Sequence, residues 1–117
     1  MTYMLLIYQP HAERDIDSDE FGEMLKAYGA YTEHVRRTGA FVDAAPLAPT
    51  ASATTVRVRD GNRLITDGPF AETKEWLGGF YMVECDSLDQ AMELAAACPG
   101  ATYGSIEIRP VIDLSGG

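Results

Sequence analysis

The chain has 117 residues, 46% of them hydrophobic and 23% charged, enough for one domain with its own core and short of the usual two-domain size. Its net charge of −9 excludes a protein that grips nucleic acid through the phosphate backbone alone, which needs a basic surface. No run approaches the roughly 18 apolar residues of a membrane span, so neither direct nucleic-acid contact nor a membrane is expected.

Residues 1–8, Met-Thr-Tyr-Met-Leu-Leu-Ile-Tyr, lack a basic leader and a small-residue cleavage site and read as a strand rather than a signal peptide. Both alternating sets, Tyr3/Leu5/Ile7 and Met4/Leu6/Tyr8, are apolar, which predicts a strand covered on both faces or nearly so. Pro10 ends it. Six of the eighteen acids then fall between Glu13 and Glu23, the pattern of a solvated acidic face.

Ser18 is placed to cap a helix, with Asp19 and Glu20 in the first turn where the helix dipole favours anions. Phe21, Met24, Leu25, Tyr28, Tyr31, Thr32 and Val35 recur at helical spacing as one apolar stripe, and Gly39 serves as the stop. Phe41 to Ala45 reads as a short strand. Thr54–Arg59 and Arg63–Thr66 flank Asp60-Gly61-Asn62, a hairpin signal; Arg57, Arg59 and Arg63 alternate with Val56, Val58 and Leu64, so its outer face is expected to be wet. After the 67–75 loop, Leu77 to Cys85 forms a long strand, and Gly78-Gly79 at its start predicts a bulge or a close approach. Ser87-Leu88-Asp89-Gln90 has the form of a capping box. It opens a second helix whose inner face is expected to be Leu88, Ala91, Met92, Ala95 and Cys98. Ser105 to Arg109 is the last strand, and 113–117 a short tail.

The order is strand, helix, strand, hairpin, strand, helix, strand. Without the hairpin it is the ferredoxin-like βαββαβ arrangement of an α+β domain spanning residues 1–117, with both helices on one face of an antiparallel sheet. Two helices cannot cover both faces, so a homodimer in which two sheets pack face to face is expected. The hairpin would reach outward or across the partner.

Segments along most of the chain resemble the DGPF subgroup of YCII-related proteins: Tyr3 to Tyr8, Gly39 to Val42, Thr54 to Arg57, Thr66-Asp67-Gly68-Pro69-Phe70-Ala71-Glu72-Thr73-Lys74-Glu75, Leu77 to Tyr81, and Cys98-Pro99-Gly100 through Tyr103-Gly104 to Glu107-Ile108-Arg109-Pro110. The resemblance implies a dimeric α/β barrel built on the ferredoxin-like fold. It also implies an acid–base pair of His and Asp, but those roles fall on Tyr28 and Cys98, and the pair is not carried over. Proteins similar to this subgroup occur beside extracytoplasmic-function sigma factors, which describes context and specifies no activity.

Asp67 is the leading candidate for chemistry: a carboxylate at a strand end beside a Gly-Pro turn serves as a base or ligand anchor, or caps its own turn. His34, near the end of the first helix, offers an imidazole for acid–base work, or interacts with the helix dipole. Tyr8, Tyr28, Gly68, Pro69, Phe70 and Lys74 are the expected surroundings of a cavity between sheet and helices. Trp76 reads as an interface aromatic or a pocket wall. His11 and His34 lack metal-ligand spacing, Cys85 and Cys98 lack CxxC spacing, and neither a metal nor a cofactor is expected. The two cysteines read as small buried hydrophobes in a reducing cytoplasm. Two functions remain: a domain that binds, or weakly transforms, a small polar molecule, and a non-catalytic accessory module acting through protein contacts, linked to a sigma-factor system.

Overall fold

The structure, a computed structural model, describes residues 1–10, 18–69 and 74–115. Eight elements follow in order: β1 (Thr2–Gln9), α1 (Asp19–Arg37), β2 (Phe41–Pro46), β3 (Thr54–Arg59), β4 (Asn62–Asp67), β5 (Trp76–Glu84), α2 (Leu88–Ala97) and β6 (Ser105–Pro110). Single 3₁₀ turns at Thr50–Ser52 and Pro99–Thr102 join them, neither anticipated from sequence. The molecule is α+β.

The helix ends obey the local chemistry. Ser18 Oγ accepts the Phe21 N–H at 3.1 Å and Ser87 Oγ accepts the Gln90 N–H at 3.2 Å, each satisfying an amide the helix itself leaves unpaired. Gln90 reaches back one residue beyond the expected box, to the N–H of Asp86 at 2.8 Å. Gly39 has φ +81° and donates its N–H to Arg36 O at 3.0 Å, the left-handed turn that ends α1.

Four strands form one antiparallel sheet in the order β2-β5-β1-β6. Along the β1–β5 ladder Ile7 opposes Gly79 while Tyr8 opposes Leu77, so Gly78 is the extra residue of a bulge. A Cβ on Gly79 would stand 2.9 Å from Ala45 O and 3.3 Å from Pro46 Cα. Bulge and close approach are both present.

One sheet face carries the core. Tyr3, Leu5 and Ile7 of β1 and Tyr81 and Val83 of β5 pack with Tyr31 and Val35 of α1 and with Ala91, Leu94 and Ala95 of α2. The inner face of α2 is rotated from the expected one: Leu88 and Met92 are half exposed, while Leu94 is buried. Positions 91, 94, 95 and 98 follow the helical period closely, and 88 and 92 fall on the flank. The opposite sheet face bears Met4, Leu6, Tyr8, Phe80 and Met82, half-buried, with Met4 opposite Met82 and Leu6 opposite Phe80.

The β3–β4 hairpin stands apart as a second, two-stranded sheet. Asp60 (φ 53°) and Gly61 (φ 78°) form its tight turn, as the primed hairpin turns require. Among the described residues its strands pack extensively only on each other. The radius of gyration is 16.2 Å, against about 13 Å for a compact chain of this length, the mark of a projecting arm. The arm does not divide into a dry and a wet face: Val56 opposes Ile65 and Val58 opposes Arg63, yet Val56, Val58 and Ile65 are each about 60% exposed, at 58, 62 and 60%.

Candidate functional site: a groove under the first helix

The apolar stripe of α1 serves two different neighbours. Its C-terminal half, Tyr31 and Val35, is buried in the core. Its N-terminal half is not: Phe21 and Met24 are half-buried and Leu25 is 50% exposed. These side chains overhang a groove of about 640 Å³, bounded on the sheet side by β2 and the start of β5. Its floor explains its existence. Ala44, Ala45, Gly78 and Gly79 line it and leave empty the layer that larger side chains would fill. Phe41, Leu47, Trp76 and Leu77 complete the apolar walls.

Polar groups enter at few points. Thr32 Oγ1 donates to Tyr28 O at 2.9 Å and meets Tyr81 Oη at 2.6 Å; with the threonine proton directed at the carbonyl, the phenol is the donor of the second bond. Gln9 borders the groove, and its amide lies over Gly78, where a Cβ would stand 1.8 Å from Nε2. Gln9 Oε1 is buried with no hydrogen-bond partner among the described residues, an arrangement that costs about 1–3 kcal/mol and calls for an explanation. At the other end the Arg36 guanidinium sits 4.5 Å from the Phe41 ring centroid, a cation–π contact.

Behind the groove lies an aromatic cluster. The Tyr28 and Tyr81 rings stack with centroids 6.4 Å apart, and Tyr31 meets Tyr81 edge-on at 4.9 Å. Tyr31 Oη donates to Leu94 O at 2.6 Å, tying α1 to α2. The Cys98 thiol approaches Tyr28 Oη at 3.7 Å, so the two positions onto which the resemblance would lay an acid–base pair are adjacent. Their chemistry is different. Burial pushes the Tyr28 phenol well above its usual range, with the neighbouring Cys98 adding to the rise, and burial also raises the Cys98 thiol. Both stay neutral at physiological pH and neither is poised to take a proton.

The other residues named from sequence are dispersed. Tyr28 lines the groove. Tyr8 and Pro69 share a second, shallower cavity of about 550 Å³ on the far side of Trp76, where Tyr8 Oη donates to Glu107 Oε1 at 3.5 Å. Gly68, at φ +102°, closes the root of the hairpin: its N–H donates to Ala53 O at 2.7 Å and its carbonyl accepts from Thr55 Oγ1 at 2.8 Å. Asp67 is exposed at the end of β4, opposite Thr54. His34 is exposed on the last turn of α1, and Lys74 is exposed before β5. Asp67, His34 and Lys74 line neither cavity. Phe70 and His11 lie outside the described residues. Among the described residues no cluster of three His, Cys, Asp or Glu side chains is arranged to hold a metal, and no helix is long and apolar enough to cross a membrane.

Sequence reasoning missed the groove walls on α1 because an apolar stripe reads as core wherever it occurs. The available signal was the pair of small-residue doublets, Ala44-Ala45 and Gly78-Gly79, on two strands that become neighbours.

Comparison with known proteins gives concordant results. Residues 1–115 match the YCII-related domain. An uncharacterized protein of Rhizobium meliloti (strain 1021) is 37% identical over 114 residues, covering 95% of this chain and 92% of the relative.

Proposed function

The chain belongs to the YCII-related domain family, and we propose that it works as a small-molecule-binding domain through the groove under α1. The observation that carries this reading is the unburied apolar half of α1, Phe21, Met24 and Leu25, held over a floor of glycine and alanine. Exposed apolar surface of this kind is costly unless occupied, and its volume falls in the range of ligand pockets. The walls favour a largely apolar, ring-sized molecule over the polar one expected from the Asp-Gly-Pro loop. Such a molecule would carry one hydrogen-bond donor to meet the unpartnered Gln9 carboxamide oxygen. With Tyr28 and Cys98 neutral, the reading is binding rather than acid–base chemistry, and Asp67 and His34 receive no catalytic role in it.

The finer architecture belongs to the same proposal. The strand order β2-β5-β1-β6 with both helices on one face supports a ferredoxin-like domain. The half-buried apolar set on the other face supports a homodimer closed sheet to sheet into a dimeric α/β barrel. The Asp67-Gly68-Pro69 turn at the hairpin root supports placement in the DGPF subgroup. The runner-up, an accessory module beside a sigma factor, draws on the resemblance alone.

Trp76 is the sole tryptophan and lines the groove, which provides the test. Anilinonaphthalene sulfonate is titrated while energy transfer from Trp76 is followed, and small aromatic alcohols are then used to displace it. Saturable transfer at one site per chain, reversed by an aromatic alcohol and weakened by Gln9→Leu, is expected. Absence of saturable binding, or displacement indifferent to Gln9→Leu, would remove the ligand class named above.

A further inference from the structure

Among the described residues the β3–β4 arm has apolar side chains and no body that covers them. Val56, Val58 and Ile65 share one of its faces by cross-strand register, and all three are exposed. A two-stranded ribbon alone is marginal in water, so this face needs a partner. Charge identifies the partner. Residues 54–67 contain Arg57, Arg59 and Arg63 against Asp60 and Asp67, a net +1, so the rest of the chain carries −10 of the total −9. Asp19, Glu20 and Glu23 stand exposed on the first turns of α1, beside Phe21 and Leu25 at the open end of the groove. Val56, Val58 and Ile65 share their face with Arg63, so an apolar face bearing an arginine matches apolar side chains flanked by carboxylates, and every copy of the chain carries both surfaces.

We propose that the arm is a clasp: Val56, Val58 and Ile65 of one copy dock on the N-terminal half of α1 of a second copy, with Arg63, which shares their face, meeting the Asp19/Glu20 edge, reciprocally across a two-fold axis. Six extended residues carry the arm's tip about 20 Å from its root, and stacked sheets lie about 10 Å apart, so the arm can pass the edge of a partner's sheet toward the helix layer behind it. The groove of each copy then receives a wall from its partner, and the binding site is completed only in the dimer. The groove's role as a ligand site rests on the reading given above; the clasp itself does not.

Sedimentation equilibrium of the full chain tests it, with Val58→Asp/Ile65→Asp, Arg63→Glu and the double variant Arg63→Glu/Glu20→Arg. The arm variants are expected to keep the wild-type circular dichroism, since their side chains leave the core untouched. They should raise the dimer dissociation constant at least tenfold. The charge swap should restore at least half of the loss in Arg63→Glu, and wild-type association should weaken with salt as exposed ion pairs do. A wild-type chain that stays monomeric at high concentration overturns the clasp. So does a dimer unmoved by the arm variants, or a loss that Glu20→Arg fails to repair, either of which would leave the arm for some other protein. Trp76 energy transfer read on the same samples separates the two ideas: an unmoved dimer with saturable dye binding sinks the clasp alone, while a broken dimer with no dye binding in wild type sinks the ligand reading alone.

Discussion

Gly29→Phe places a side chain in the groove without disturbing the fold beneath it. Gly29 is interior to α1, borders the groove, and a Cβ there would meet nothing within 4 Å. Replacing glycine by phenylalanine in a helix interior gains about 0.5 kcal/mol from propensity. At about 4 °C per kcal/mol for a domain of this size, the unliganded melting temperature should rise by about 2 °C. A ligand at one hundred times its dissociation constant stabilises the wild type by about 2.7 kcal/mol, a shift of about 10 °C. If the new ring weakens binding a hundredfold, the same concentration contributes only about 0.4 kcal/mol, less than 2 °C. The assay is a thermal melt of both proteins with the aromatic alcohol that best displaces the dye. A variant that melts at or above the wild type, yet keeps the full ligand shift, would show that the ligand sits elsewhere.

One methyl group should act in opposite directions at two other glycines. Gly22→Ala, with nothing within 4 Å of its Cβ, should stabilise α1 by about 1 kcal/mol, whereas Gly104→Ala drives a Cβ to 2.1 Å from Tyr8 O and should cost about 1–3 kcal/mol; urea unfolding of both checks the pair. Leu5 is 1% exposed at the centre of the core, and Leu5→Ala should lose about 2–5 kcal/mol with the urea m-value unchanged. Tyr28, Tyr31 and Tyr81 are held above the usual phenol range, chiefly by burial. The native state therefore keeps protons that the unfolded chain releases above about pH 10, so stability is whole below that pH and falls above it. Tyrosinate absorbance should show these phenols ionising only as the circular dichroism collapses, and early ionisation in a folded protein would contradict their burial.

Local chemistry was the legible part of this sequence. Ser18, Ser87 and Gly39 do what caps and stops do in any context, because their partners lie within four residues. Asp60-Gly61 makes a tight turn for the same reason. The strands were legible too, since alternation over residues 2–9 and 105–109 has one physical interpretation. What covers an apolar face is a different matter. The spacing of Phe21, Met24 and Leu25 is identical in kind to that of Tyr31 and Val35, and periodicity carries no information about the neighbour across the gap. The same limit applies to the hairpin: alternation predicted two faces and could not reveal that neither has a body beneath it.

The groove follows from a conflict between packing and backbone approach. Gly79 is held small by the Ala45 carbonyl 2.9 Å from its missing Cβ, and Gly78 by the Gln9 amide that occupies its space. Gly79 cannot grow without moving backbone and Gly78 only by displacing the Gln9 side chain, so the sheet favours a void beneath α1 whatever the helix above contributes. A chain with no use for that void would meet it with polar residues on the helix, leaving nothing apolar to expose. This chain instead places Phe21, Met24 and Leu25 there, on a helix whose buried anchors, Tyr31 and Val35, lie further along. The apolar choice costs solubility unless something covers it, and the two candidates reach it from different directions: a ring-sized ligand from within the groove, a partner's arm from across its mouth. Because α1 presents 19 residues, about 28 Å of helix, there is room for both.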